Sequence, residues 1–301
     1  EMIGPMFEHH MRNVMLTLMA DVKNPGTIID IPAMFSNEDF QKQWIAEVKD
    51  HVVRAYWEQE VAKTSDFHKS EMLGYLVSKI GKFSENEMMR NIMGQKKSGF
   101  NFRQIMDEKK ILLVNLSKGK LGDINANLLG LIIVGKILMA SLSRSDSMHL
   151  SLPPFYLYID EFQNITTASI ATILSEARKY KLGLTIAHQF IAQLSPEIRD
   201  AVFGNVGSLV SYRVGSDDAE YLEKQFAPVF SAKDIMSIDN FNAYVKLLMN
   251  GQPVRPFDMS VPPPQNGDRE RANKIMELSH LKFGNDLALV EDAIMAKYDS
   301  T

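Results

Sequence analysis

The stretch Phe155-Tyr156-Leu157-Tyr158-Ile159-Asp160-Glu161-Phe162 constrains the fold of this chain more than any other. Its first five residues are aromatic or branched and follow Pro153-Pro154, the pattern of a short strand buried on both faces of a parallel sheet. Two adjacent carboxylates then end the run. Carboxylates are costly to bury without partners, so a pair at the carboxyl end of a core strand belongs in the crevice where open α/β sheets bind ligands. A nucleotide triphosphate with its Mg²⁺ suits that place: Asp160 would hold the metal's water shell, and Glu161 would orient or deprotonate an attacking water. On these eight residues alone, a strand followed by a solvated acidic turn accounts for the pattern equally well.

Strands and helices alternate on either side of this stretch. Residues 111–116 read as a buried strand, and 125–142 as a helix apolar nearly all round, as expected of one packed on a sheet. A helix over 167–180, a strand over 182–187 and a fourth apolar strand over 208–212 follow. The order implies an α/β fold with a parallel sheet of the doubly wound kind. Residues 243–249 and 254–259, joined by Asn250-Gly251, read instead as an antiparallel hairpin, because Asn-Gly supplies the positive φ angles of a tight turn. A Pro-rich linker and a helical tail occupy 261–301.

The first hundred residues show helical periods almost throughout. Met11, Val14, Met15, Leu18 and Met19 form one stripe, ended by Asn24-Pro25-Gly26. Ser36 with Asp39 reads as the start of a helix carrying Phe40, Trp44, Val48, Val52 and Tyr56; Ser84 with Glu87 reads as a capping box for a helix closed by Gly94. The expected organisation is a core helix within 1–30, an all-helical unit over 31–104, the α/β core over 105–260, and the tail over 261–301.

Composition excludes several classes. With 301 residues and 45% hydrophobic content the chain can bury a full core, and with no cysteine it has no disulfide, thiolate catalysis or Cys-ligated zinc. A net charge of −4 argues against a broadly basic surface. The longest apolar run, 128–140, contains Lys136 and is shorter than the ~20 residues that cross a bilayer. Because the chain opens on Glu1 and not Met, a longer parent protein is expected. His9, His10, His51, His68, His149 and His280 show no paired metal spacing and are read as ordinary.

Nucleotide chemistry needs a Gly-rich loop followed by Lys and Ser or Thr. Gly130 to Lys136 matches that spacing, but Ile137 cannot ligate Mg²⁺ and four bulky apolar residues between the glycines continue a helical pattern, so the segment reads as core helix. His188 and Gln189 follow the strand over 182–187, on the edge shared with Asp160 and Glu161 if the strands are parallel neighbours. A neutral amide there either hydrogen-bonds a γ-phosphate or attacking water, or caps the following turn. Arg178 either pairs with Glu176 or another surface acid, the default for a helix Arg, or reaches a phosphate in a neighbouring subunit. Between Lys79 and Lys110, eight basic residues stand against four acidic ones; with Phe100 and Phe102 interleaved, Lys96, Lys97 and Arg103 form a candidate DNA rim or a solvated face.

The ordered set Ile111-Leu-Leu-Val-Asn-Leu-Ser, Leu157-Tyr-Ile-Asp-Glu-Phe, Glu176-Ala-Arg-Lys-Tyr, Gly183-Leu-Thr-Ile-Ala-His-Gln, Ile198-Arg-Asp-Ala, Gly204-Asn-Val-Gly and Tyr212-Arg-Val-Gly resembles the motor domain of type IV secretion coupling proteins. These are the conjugative DNA-transfer ATPases of the HerA/FtsK group, and the likeness covers most of the chain. It implies a RecA-like P-loop core carrying an inserted all-helical domain, with Asp160 and Glu161 as the Walker B pair, Gln189 as phosphate sensor and Arg178 as a finger acting in trans. It further implies ATP and Mg²⁺ as cofactors, a ring, likened to a hexamer, that moves single-stranded DNA or a protein–DNA complex, secretion-channel partners, and the cytoplasmic face of the inner membrane for the parent. The chain departs from the family in lacking the phosphate loop, so the isolated piece is expected to be inactive. A double-strand DNA translocase of repair or packaging, and a non-hydrolysing adaptor, are the alternative readings.

Overall fold

The computed structural model describes residues 4–147, 151–166, 170, 174 and 176–299. The chain divides into two compact units, Glu1–Gly99 with Ala272–Thr301, and Phe100–Arg271.

The first unit is built of helices. Pro5, preset for a first helical turn, opens α1 (Pro5–Leu18). Short α2 (Ala33–Ser36) and α3 (Glu38–Glu47) follow, then α4 (His51–Ala55), which runs into a π-turn over Tyr56–Val61, α5 (Asp66–Ser84) and α6 (Glu87–Met93). Val14 and Leu18 of α1 pack with Ile31, Met34, Tyr56, Trp57, Val61 and Ile80 in one core, and the buried Trp57 indole donates to Thr17 Oγ1 at 2.7 Å. That packing is why α1 belongs with these helices, whereas the sequence boundary at residue 30 assigned it to the α/β core. The stripe from Phe40 to Tyr56 is likewise two helices: α3 stops at Glu47, Asp50 caps α4, and Val52 is exposed. The helix starts read at Ser36 and Ser84 fall on asparagines instead. Asn37 accepts from Phe40 N and Asn86 from Met89 N, while both serine hydroxyls donate back to carbonyls of their own helices.

The second unit mixes helix and sheet. After α7 (Phe102–Asp107) and α8 (Lys118–Leu121) comes α9 (Asp123–Ser143), the helix that contains Gly130 to Lys136. By length and composition α9 is apolar enough to cross a membrane. Here it lies in the core, with Val134, Ile137 and Leu138 buried among Ile159, Phe162, Ile165 and Leu182. Gly130 lets it approach closely, since a Cβ there would meet Ile165 Cγ2 at 2.7 Å. Strands β1 (Phe155–Ile159) and β2 (Leu182–Ile186) pair in parallel, Phe155 opposite Leu182 and Ile159 opposite Ile186. The helix expected over 167–180 lies largely outside the described residues; its end, Ala177–Tyr180, is a 3₁₀ turn.

Three expectations for this unit are corrected. β1 is buried on one face only: Phe155, Leu157 and Ile159 turn toward α9, and Tyr156 and Tyr158 are 62% and 72% exposed. Residues 111–116 form no strand and pair with none among the described residues, and Ile111 and Leu113 are 88% and 81% exposed. The strand read over 208–212 is β3 (Leu209–Ser211), following α10 (Pro196–Asn205); it pairs antiparallel, not parallel, in a separate sheet. Beyond α11 (Ser216–Phe226) and α12 (Ala232–Ser237), β4 (Asn242–Lys246) is the middle strand of that sheet. The hairpin is as expected: β5 (Leu248–Met249) and β6 (Gln252–Pro253) flank Asn250 and Gly251 at φ 52° and 77°, and β7 (Phe257–Ser260) returns along β4.

The chain ends in α13 (Arg269–Phe283) and α14 (Leu287–Asp299). Ile294 of α14 is buried, and Asn91 of α6 donates to Glu291 at 3.0 Å. Packing therefore places Ala272–Thr301 with the first unit, where the sequence read a separate tail.

Candidate nucleotide site

The parallel pairing of β1 and β2 carries their carboxyl ends to one edge. The ladder continues one step past both strands: Ala187 N donates to Ile159 O and Phe162 N to Ala187 O, each at 2.9 Å. Fully buried Phe162 anchors the turn after β1, and this leaves Glu161 in the left-handed region at φ 49°, ψ 45°. Such a conformation strains a residue with a Cβ by about 1–3 kcal/mol and persists only where the surroundings hold it.

Hydrogen bonds hold it here. Gln189 Nε2 donates to Glu161 Oε1 at 2.7 Å and Gln163 Nε2 to Oε2 at 2.6 Å, so both carboxylate oxygens take an amide hydrogen. Asp160 is exposed, and its Oδ1 accepts the Glu161 N–H at 2.9 Å. The two acids face a cleft of about 910 Å³, lined also by residues 111–116 and by Asn127 and Gly130 of α9. An exposed carboxylate with an uncommitted oxygen suits the water shell of a hard divalent cation, and a carboxylate beside it suits proton transfer. A Gly-rich phosphate loop is not among the segments lining that cleft.

Gln189 stands beside a second cleft, of about 600 Å³, lined by His188, Phe190, Arg213 and Asp218 among others. Burial holds the His188 imidazole below the usual histidine range, with Asp218 opposing the effect. The Asp218 carboxylate accepts Ile191 N–H at 3.2 and 3.3 Å and so ties the turn after β2 to α11. Periodicity gave no sign of this contact, since Asp218 sits in a first helical turn where acids are common.

The remaining candidates lie elsewhere. Arg178 is exposed in the 3₁₀ turn before β2, at the amino end of the sheet, one strand length or about 17 Å from the acids. Lys96 and Lys97 are exposed and belong to the first unit. Arg103 belongs to the second, and its guanidinium is committed internally: to Asp107 at 3.0 Å, to Asp146 at 2.8 and 3.2 Å, and to Ser143 and Ser147. A contact with DNA phosphate would have to compete with these acceptors. The sequence gave no hint of the neighbouring Arg144, fully buried and bound to Asp107 and to the carbonyls of Pro153 and Tyr180.

Comparison with curated proteins finds no match. The family model for type IV secretory system conjugative DNA transfer matches residues 32–226, a span that includes both β1 and β2 with the acids and amide at their ends. The chain belongs to the type IV secretory system conjugative DNA transfer family.

Proposed function

We propose that this chain is part of an ATP-driven DNA translocase, built on a RecA-like P-loop core, which works as a ring at the cytoplasmic face of the inner membrane and delivers DNA to a secretion channel. The observation that carries the reading is the bridge from Gln189 to Glu161, an amide and an acid at the carboxyl ends of adjacent parallel strands. Bound ATP with Mg²⁺ would supply the phosphoryl chemistry. Asp160 would hold the metal's water shell, and Glu161 would take the proton of the attacking water. Gln189 would report whether the γ-phosphate is present by leaving Glu161 for it. Lysine and backbone donors for the phosphates would come from the parent protein.

The test is Glu161→Gln in the parent. The amide keeps the shape of the acid but cannot accept a proton, so nucleotide affinity is expected within about threefold of wild type while DNA-stimulated hydrolysis falls by at least ~10². Unchanged turnover would remove Glu161 from the chemistry.

A further inference from the structure

The histidines read as ordinary include a pair that the first unit folds onto an acid. His9 and His10 are neighbours on α1, and Glu60 comes from the π-turn after α4. One ligand atom from each, a ring nitrogen or a carboxylate oxygen, lies within 4.8 Å of the other two. His9 Nε2 is 3.0 Å from both Glu60 oxygens. His10 is 5% exposed; its Nδ1 lies 3.0 Å from the Tyr56 hydroxyl, and its Nε2 is buried with no hydrogen-bond partner among the described residues. An orphaned nitrogen on a buried ring is costly, of order 1–3 kcal/mol, and calls for an explanation.

We propose that His9, His10 and Glu60 form a binding site for a first-row divalent cation of the zinc type, with Tyr56 as the positioning residue for His10. A cation held through Nε2 would resolve the orphan, because the ring would then carry its hydrogen on Nδ1 and donate it to the Tyr56 oxygen, the outer-shell arrangement that metal-bound histidines adopt. Two imidazoles and one carboxylate select zinc, cobalt or nickel over magnesium or calcium, which take oxygen ligands. Half-exposed His9 and Glu60 leave the cation an entry path and an open position for water. The π-turn supports the reading independently, since such turns occur often at functional sites. A cation there would link α1 to the Tyr56–Val61 turn and stabilise the unit by mass action.

The test uses the full chain freed of any affinity tag, with Zn²⁺ titrated against a chromophoric chelator and Co²⁺ as a spectroscopic probe. Wild type is expected to bind one Zn²⁺ and to give visible Co²⁺ absorption of low coordination number. His9→Gln and Glu60→Gln, both at half-exposed side chains, should weaken Zn²⁺ at least tenfold and abolish the Co²⁺ bands. Tyr56→Phe should weaken it ~10-fold while keeping the bands. His68→Gln, which removes a separate histidine paired with Glu71, should change nothing. No saturable binding by wild type, or equal affinity in wild type, His9→Gln and Glu60→Gln, would overturn the proposal and leave His9 and Glu60 as an ordinary ion pair.

Discussion

Arg144 Nε donates to Asp107 Oδ1 at 3.0 Å, and the same carboxylate takes Arg103 through its other oxygen at 3.0 Å. One acid thus joins the end of α7 to two arginines on different elements. Arg144 has no exposed surface, and among the described residues its charge is balanced by Asp107 and by the carbonyls of Pro153 and Tyr180, which precede β1 and β2. The amino ends of both parallel strands are therefore pinned from the end of α9.

Arg144→Ala should destabilise the second unit by about 3 kcal/mol, the lower end of the cost of breaking a buried pair, since Asp107 is itself partly exposed. Arg144→Lys should recover only part of this, because one ammonium cannot reproduce the fork that reaches three acceptors. Urea unfolding followed by far-UV circular dichroism, with hydrogen exchange to assign the loss to Phe100–Arg271, measures both.

Arg178 is too far along the strand to serve the acids of its own chain. In the parent, Arg178→Ala is expected to leave nucleotide affinity and ring assembly intact and to lower hydrolysis by ~10³, as loss of a trans-acting finger does elsewhere. Mixing it with Glu161→Gln subunits should restore some turnover, since one kind of interface regains both groups. A dead mixture in rings shown to be mixed would exclude the trans role.

Lys96 and Lys97, both exposed, are the side chains of the basic stretch on which the DNA-contact reading is tested most directly. Reversing both to Glu should weaken DNA binding and flatten the slope of log affinity against log salt by about 1.4–1.8, from 0.7–0.9 per phosphate contact. Equal slopes for wild type and variant, by fluorescence anisotropy across a salt series, would return the pair to solvent.

The first unit should lose stability in mild acid. Burial holds the His10 imidazole below its usual 6.5, and His9 lowers it further against the pull of Glu60. Since the folded value is the lower one, the neutral ring's contribution is present above about 6.5 and is lost as pH falls toward the folded value, with a slope of up to ~1.4 kcal/mol per pH unit. Trp44 and Trp57 both lie in this unit, so urea unfolding by tryptophan fluorescence at several pH values reads it. His10→Gln should flatten the dependence.

What the sequence disclosed was local or periodic. β1, β2, α9, the Asn250-Gly251 turn and the shared edge of Asp160, Glu161 and Gln189 were all legible, because strand runs and parallel order place both strands' ends together. The capping asparagines were missed for a simpler reason: serine and asparagine both cap, and which one does depends on where the preceding turn stops. The antiparallel turn of β3 was hidden because a three-residue apolar strand carries no sign of direction. His9, His10 and Glu60 meet only through tertiary packing of α1 on a π-turn, and adjacent histidines on a helix lack the i, i+4 spacing that marks a metal site on one face. Arg144 was invisible for the opposite reason, since nothing in a sequence tells a buried arginine from a surface one.

The exposed face of β1 beside residues 111–116 has a practical bearing. Ile111-Leu-Leu-Val-Asn-Leu116 is uncharged, free of proline and high in strand propensity, and it lies next to a strand with only one ladder partner among the described residues. Segments of that composition pair readily with copies of themselves. Intermolecular strand addition at this edge is therefore the expected route by which the chain would self-associate on concentration.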